Sequence, residues 1–408
     1  RPQIVVATPH LSLVKKELAE RGIKSDDVES EALGLTLMTL ENLAEGARRL
    51  RENAYLVQYA DAVLSARGTW PTGDRLGDDL DLVMFDLRSS FQRRYHGWTP
   101  TMGKNRFVTG AQGLGEIGGG GTIPGPGGDD VRPLGEIGGG GEQGLDTLPD
   151  GTTFTLPESS EGRGVTIAVF DTKIYPHAGL ERHREQNPGA FFDPTTELPE
   201  PIESAMAGHG TFGVSRILRH APGVTLLLRP VLDKFGRGEA WNVANEMVRA
   251  VKEAKVDIVH LPLGCVTADG EAPLVFARAV ELIALHTVVV AAAGNYAVEG
   301  QSAAAGALQS HTPVWPAALP DVRSVAATDE KGNLAPFSRQ EPWLRERARG
   351  VKVPGLYLVG AVALPSRDDD GCQTGHYTKK FDGTAQWQGT SFAAADFTGE
   401  LAAARSAR

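Results

Sequence analysis

Read for apolar and polar positions alone, the chain changes character twice, near residue 110 and again near residue 164. From Gly164 onward, mostly apolar runs of strand length recur at Val165–Phe170, Val224–Arg229, Asp257–Leu263, Thr287–Ala292 and Val322–Ala327. Longer stretches with helical spacing fall between them, among them Ala240–Lys255 and Ala272–His286. Runs that are apolar on both sides of the pleat suit strands covered on both faces. Such strands alternating with helices build a parallel sheet. The expected fold class is therefore α/β, with a mostly parallel central sheet flanked by helices. In that architecture functional groups gather at the carboxyl ends of the strands.

The first 108 residues carry a different pattern. Gln3–Ala7 reads as a strand, and Leu13–Arg21 as a helix stopped by Gly22. Leu33, Leu35 and Leu37 alternate with Gly34 and Thr36, as in a half-buried strand. Glu41–Ala62 has Leu43, Ala47, Leu50 and Ala54 at helical spacing, and Leu80–Phe91 is a mixed segment. Residues 1–108 thus form a smaller α/β or helical accessory domain, and 151–408 the main one. Between them, residues 109–150 are dominated by Gly, Pro and Asp. This stretch repeats Leu-Gly-Glu-Ile-Gly-Gly-Gly-Gly at Leu114–Gly121 and Leu134–Gly141. So little apolar surface cannot offset the entropy of ordering, which predicts a flexible linker.

Composition narrows the function classes. A formal net charge of −10 over 408 residues argues against nucleic acid as a partner. No run approaches the roughly 20 apolar residues of a membrane span. The start has only the short apolar patch Ile4–Ala7, not a secretory core, and two cysteines are too few for a disulfide framework. Both features point to the cytoplasm. The chain does not begin with Met, so a processed leader and secretion stay open as the alternative.

The chemistry-bearing residues fall where strands end and helices start. Asp171 follows Val-Thr-Ile-Ala-Val-Phe directly, and Gly208-His209-Gly210-Thr211 precedes a helix expected over Phe212–Leu218. Ala292-Ala293-Gly294-Asn295 ends a buried strand. Gly389-Thr390-Ser391-Phe392-Ala393-Ala394-Ala395 opens an alanine-rich helix. A serine at a helix start is by itself most often a cap. Here a histidine is available as its base, an aspartate to orient that histidine, and an amide for a developing oxyanion.

Taken together, the four segments resemble those of the subtilisin-like serine proteases (subtilases), in that family's order of Asp, His, Asn, Ser. The likeness covers about Gly164 to Ala404. It includes His177-Ala178-Gly179-Leu180, and Arg229-Pro230-Val231-Leu232-Asp233 with Gly236 and Gly238. The resemblance implies a serine endopeptidase with nucleophile Ser391, general base His209, orienting carboxylate Asp171 and oxyanion donor Asn295. It also implies a cleft with Pro262, Leu263 and Gly264 along one edge and Gly238, Glu239 and Ala240 along the other. Ala292, Ala293 and Gly294 would form the floor of the specificity pocket. A protein or peptide substrate would lie between the edges as an added strand. No cofactor is required for that chemistry, and no metal site is expected in it. Calcium is an optional structural ion of the family, for which the run Asp368-Asp369-Asp370 lacks a defined ligand set.

Against this background residues 1–108 read either as an accessory domain, through which a regulatory partner would act, or as a propeptide that helps folding or blocks the enzyme. Each linker repeat is in turn a candidate pseudo-substrate or processing site. A silent peptide-binding relative is the alternative to an active enzyme. Four departures from the family pattern stand out. Lys173 occupies a position usually held by Gly, where a cation would favour an ionised Asp171 and crowd the histidine. Phe212-Gly213-Val214-Ser215 replaces a second histidine and a small-residue run. Pro262 offers substrate a carbonyl but no N–H, and Ala395 stands where Pro is common. His260, on an apolar strand, reads as a satisfied core histidine.

Overall fold

The computed structural model describes residues 2–66, 79–110, 145–193, 201–267, 270–295, 313–338, 340–367 and 373–406. Both copies of the linker repeat, the Asp368–Asp370 run and Cys372 lie outside them.

The N-terminal elements are β1 (Gln3–Ala7), α1 (Leu11–Glu20), β2 (Lys24–Ser30), β3 (Leu35–Glu41), α2 (Leu43–Arg51), α3 (Ala54–Ala66), α4 (Asp79–Arg94) and β4 (Met102–Lys104). The strands form an antiparallel sheet in the order β2-β3-β1-β4. Its two faces follow the two-residue period of the pleat. Ile4, Val6, Met38 and Leu40 pack with residues of α1, α2 and α4, whereas Val5, Leu35 and Leu37 join a different cluster, described below.

Three expectations for this region change. The single helix over Glu41–Ala62 is two helices, because the Asn53 side chain accepts a hydrogen bond from the Leu56 N–H and caps a new start. The mixed segment is the helix α4, with Asp79 and Asp81 in its first turn and Arg93 and Arg94 in its last, as the helix dipole favours. β2 (Lys-Ser-Asp-Asp-Val-Glu-Ser) escaped notice because it is an edge strand with charged side chains and no apolar alternation.

The chain continues through β5 (Phe107–Gly110), β6 (Thr166–Thr172), α5 (Glu181–Gln186), α6 (His209–His220), β7 (Thr225–Leu232), β8 (Arg237–Glu239), α7 (Ala240–Glu253), β9 (Ile258–Leu261) and β10 (Leu263–Gly264). It ends with α8 (Leu274–Ile283), β11 (Val288–Ala292), β12 (Val322–Thr328), β13 (Glu346–Arg349), β14 (Val353–Arg367), β15 (Gln373–Trp387) and α9 (Thr390–Ser406). Six strands form one parallel sheet in the order β13-β12-β11-β9-β6-β7. The fold is α/β, as expected. The chain leaves β6 toward β7 and returns to β9 on the other side, so the order reverses at β6, where a crevice opens.

One face of the sheet packs on residues of α6 and α9 (Val214, Ile217, Ala394, Ala402), and the other on α7 and α8 (Met247, Val248, Phe276, Ala279). The second cluster also takes in Val5, Leu35 and Leu37 of the N-terminal sheet. That contact is reinforced by a hydrogen bond from Ser30 Oγ to Asn245 and another from Arg278 Nε to the Leu33 carbonyl at 3.1 Å. β14 and β15 form a long antiparallel hairpin that packs through Tyr357, Phe381 and Trp387 against Phe212 and Phe392. Among the described residues, no helix is long and apolar enough to cross a membrane.

Candidate active site

Asp171 sits at the carboxyl end of β6, and α6 begins on His209 itself rather than at the expected Phe212. The start moves back because the helix is anchored to the strand. The Gly210 N–H donates to Thr172 Oγ1 at 3.0 Å, and any Cβ at Gly210 would stand 2.7 Å from the Thr172 carbonyl oxygen. Glycine is therefore required there, and the anchor sets His209 beside Asp171. Its Nδ1–H donates to both carboxylate oxygens, at 2.8 and 2.9 Å. This fixes the tautomer and leaves Nε2 as the basic nitrogen. That Nε2 is buried without a hydrogen-bond partner.

On the opposite flank, β11 ends at Ala292, and Gly294 turns the chain with a φ of +90° that side-chain-bearing residues rarely adopt. Two hydrogen bonds then latch this turn to the start of α9. The Gly294 N–H donates to Thr390 Oγ1 at 3.0 Å, and Asn295 Oδ1 accepts from the Thr390 N–H at 2.9 Å. Accepting through Oδ1 aims the Asn295 amide nitrogen away from Thr390. Ser391 follows in the first turn of α9, where backbone N–H groups lack helical partners. Its hydroxyl donates to the Pro262 carbonyl at 3.2 Å. Asp171, His209, Asn295 and Ser391 are all buried. The imidazole of His209 lies 5.4 Å, centroid to centroid, from the ring of Phe392, the residue after Ser391. The structure thus joins Asp171 to His209 and Asn295 to the start of α9, with the serine hydroxyl turned to Pro262.

The expected cleft residues lie on both sides of a strand that sequence reading missed. β5 runs antiparallel between β10 and β8. Thr109 and Gly110 pair with Gly264 and Leu263, while Val108 and Phe107 pair with Gly238 and Glu239. Ala240 donates its N–H to the Arg106 carbonyl at 2.8 Å. Val108 is fully buried in the cluster that holds Leu263, Ala240 and Trp241. The segment seated as an added strand is therefore Phe107–Gly110. Four residues carry too little periodicity to announce a strand, and its pairing is long-range.

The Lys173 ammonium lies 5.3 Å from the centroid of the Phe192 ring, a cation–π contact that holds it to that side. His260 is buried, with Nδ1 3.0 Å from Thr398 Oγ1 and Nε2 without a hydrogen-bond partner, so the expected core histidine is satisfied on one side only; burial pushes its pKa down to about 4. The neighbouring Asp171 pulls in the opposite direction and His209 adds to the lowering. Burial raises the Cys265 thiol to about 12, far from thiolate chemistry. Among the described residues, no group of three or more His, Cys, Asp or Glu side chains could hold a metal ion.

Two further features were not expected. Trp387, at the end of β15, stands edge-on to His209 with ring centroids 5.9 Å apart. Arg216 and Asp396 form a buried ion pair between α6 and α9. A charged residue on the inner face of each of two alanine- or glycine-rich helices was the available signal.

A model described as the subtilase family matches residues 162–408. A thermostable alkaline protease of Halalkalibacterium halodurans is 28% identical over 225 residues, covering 52% of this chain and 56% of that protein. The serine protease AprX of Bacillus subtilis is 26% identical over 251 residues, covering 56% and 53%. The chain spans about half the length of these curated relatives. Among solved structures, the patellamide maturation protease PatA is 24% identical with a TM-score of 0.41, covering 59% of this chain and 77% of that one.

Proposed function

The chain belongs to the subtilase family, whose model matches its residues 162–408, and from this premise we propose that it is a serine endopeptidase acting through an acyl-enzyme on Ser391. The observation that carries the reading is the imidazole of His209, with Nδ1–H held by both oxygens of Asp171 and Nε2 free and buried. Free Nε2 is the base that a serine hydroxyl needs. In the proposed reaction Ser391 Oγ turns from the Pro262 carbonyl toward Nε2 and attacks the substrate carbonyl carbon. Its proton passes to Nε2, and the imidazolium is stabilised by Asp171. The oxyanion takes hydrogen bonds from the Asn295 amide and the Ser391 N–H. Collapse of the tetrahedral species breaks the C–N bond, and His209 protonates the leaving amine. Water, deprotonated by His209, then hydrolyses the ester. No cofactor enters these steps. The substrate is a protein or peptide segment bound as a strand between Gly238–Glu239 and Leu263–Gly264, with Pro262 near the reacting serine and Ala292–Gly294 beneath it.

The pairing of β5 with both edges favours a second element of the reading: the intact chain blocks its own cleft. Residues 1–110 then act as a covering unit, and activity follows removal of β5. A fluorophosphonate probe tests both parts. Matured wild type should label and Ser391→Ala should not, while the intact chain should label slowly. N-terminal sequencing of aged protein should find a new terminus within residues 111–145. A matured wild type that never labels would sink the reading and leave a silent peptide-binding relative.

A further inference from the structure

We propose that the Arg216–Asp396 ion pair is a positioning joint that sets the His209 imidazole against the Ser391 hydroxyl, an inference that rests on the roles proposed for those two residues. His209 opens α6 and Ser391 lies in the first turn of α9, so the reacting atoms sit at the ends of two packed helices. Arg216 stands seven residues along α6, and Asp396 five residues past Ser391. At about 1.5 Å of rise per residue these are roughly 10 and 8 Å from the reacting ends. There the guanidinium grips the carboxylate with two parallel bonds, Nε to Oδ1 at 2.7 Å and Nη2 to Oδ2 at 2.6 Å. Both residues are buried, Arg216 5% and Asp396 2% exposed.

Stability does not explain such a pair. Removing two charges from water is costly, and apolar residues of similar volume commonly serve a helix contact as well or better. What the fork adds is direction: two parallel bonds admit one rotation and one register of α6 against α9, which a greasy contact would not.

The same guanidinium fixes a third body. Arg216 Nη1 donates to the Pro354 carbonyl at 2.7 Å, at the base of the β14–β15 hairpin. The residue before Pro354, Val353, pairs with Trp387, and Trp387 is the ring set edge-on to His209. Ser215 ties the same place, accepting from the Leu356 N–H while donating to the Phe212 carbonyl. One residue thus locates the base helix, the nucleophile helix and the wall behind the imidazole. His220 Nε2, 3.6 Å from Asp396 Oδ2, closes the other side of the carboxylate. Displacing a reacting group by about 1 Å can cost on the order of 100-fold in rate, so a joint of this kind reads out in turnover.

The test uses protein expressed as the full chain and then matured, with a fluorogenic peptide substrate and thermal unfolding measured in parallel. In Arg216→Met/Asp396→Leu, which removes both charges, kcat should fall roughly 10- to 100-fold with KM within about twofold and Tm within about 5 °C of wild type. Arg216→Lys keeps the charge but loses the fork, and should lower kcat with little change in Tm. Wild-type kcat in the double variant would overturn the inference. A drop in Tm well beyond 5 °C in both variants, tracking the loss of kcat, would assign the pair to stability and overturn it too. If matured wild type neither labels with the probe nor cuts peptide, the reading beneath it fails instead, and the inference falls with it.

Discussion

Asn295 is fixed by what its oxygen does. Because Oδ1 accepts from the Thr390 N–H, only its amide nitrogen can serve as the oxyanion donor in the proposed reaction. Asn295→Ala should lower kcat by about 10²- to 10³-fold with little change in KM, since in the proposed reaction the lost bond is made in the transition state. Steady-state kinetics on matured protein checks this; a matching rise in KM would argue for ground-state binding. His260 makes a different prediction. Its folded-state pKa is depressed to about 4 by burial, so as pH falls below about 6.5 the unfolded chain takes up a proton that the folded one refuses. Stability is therefore lost from pH 6.5 down to pH 4, by about 2 kcal/mol between pH 7 and pH 5. Denaturation of Ser391→Ala and of Ser391→Ala/His260→Asn should show a shallower pH dependence in the second by about that amount. Equal slopes would count against a neutral, buried His260. At this scale the sequence was informative about Asp171, His209, Asn295 and Ser391, because each stands next to a chain direction change that glycine or a strand end marks locally. Arg216 and Asp396 were not legible as partners: each is an ordinary helix residue until the helices cross.

The parallel strands and their helices were legible for the same local reason, since burial on both faces writes a continuous apolar run. Two kinds of element were not. β15 mixes apolar positions with Gly, Thr and charged residues. β14 is apolar over Leu356–Leu364 apart from Gly360, but with no following helix it does not fit the strand–helix alternation, and only pairing with β15 makes it a ribbon. β5 is defined wholly by its partners β10 and β8, as a bound peptide would be. Its hold on the cleft is concentrated at Val108, fully buried at the centre of the strand. Val108→Asp would bury a carboxylate in an apolar cluster, a cost of several kcal/mol unless the strand leaves. The intact variant should label with fluorophosphonate at least about tenfold faster than intact wild type. Labelling at the wild-type rate would mean that β5 does not control access.

For the whole molecule, the question is what holds β5 where it is. Four residues with one buried side chain make a weak ligand alone; the N-terminal sheet supplies the remainder by presenting Val5, Leu35 and Leu37 to α7 and α8. An open pocket of about 540 Å³ lies at the margin of that contact, lined from one side by Ala7, Gly34 and Leu35 and from the other by Leu274, Ala277 and Val280. A small apolar seam bordered by an open pocket suits a unit that docks firmly and can still leave, since the contact ends at the pocket and gains no further dispersion there. Tethering through the short path from β4 to β5 then gives the strand a high effective concentration at the cleft. Leu35→Asp, 3% exposed at that seam, places a charge where no cation is presented by the cavity wall except Arg278, whose Nε already serves the Leu33 carbonyl. The variant should undock the N-terminal unit as a whole. The intact chain should label faster, as with Val108→Asp, but limited proteolysis should now also cut within residues 2–66. Val108→Asp should leave those residues as resistant as in wild type. If Leu35→Asp speeds labelling without exposing the N-terminal unit to protease, the seam is not what anchors β5, and the strand holds the cleft by itself.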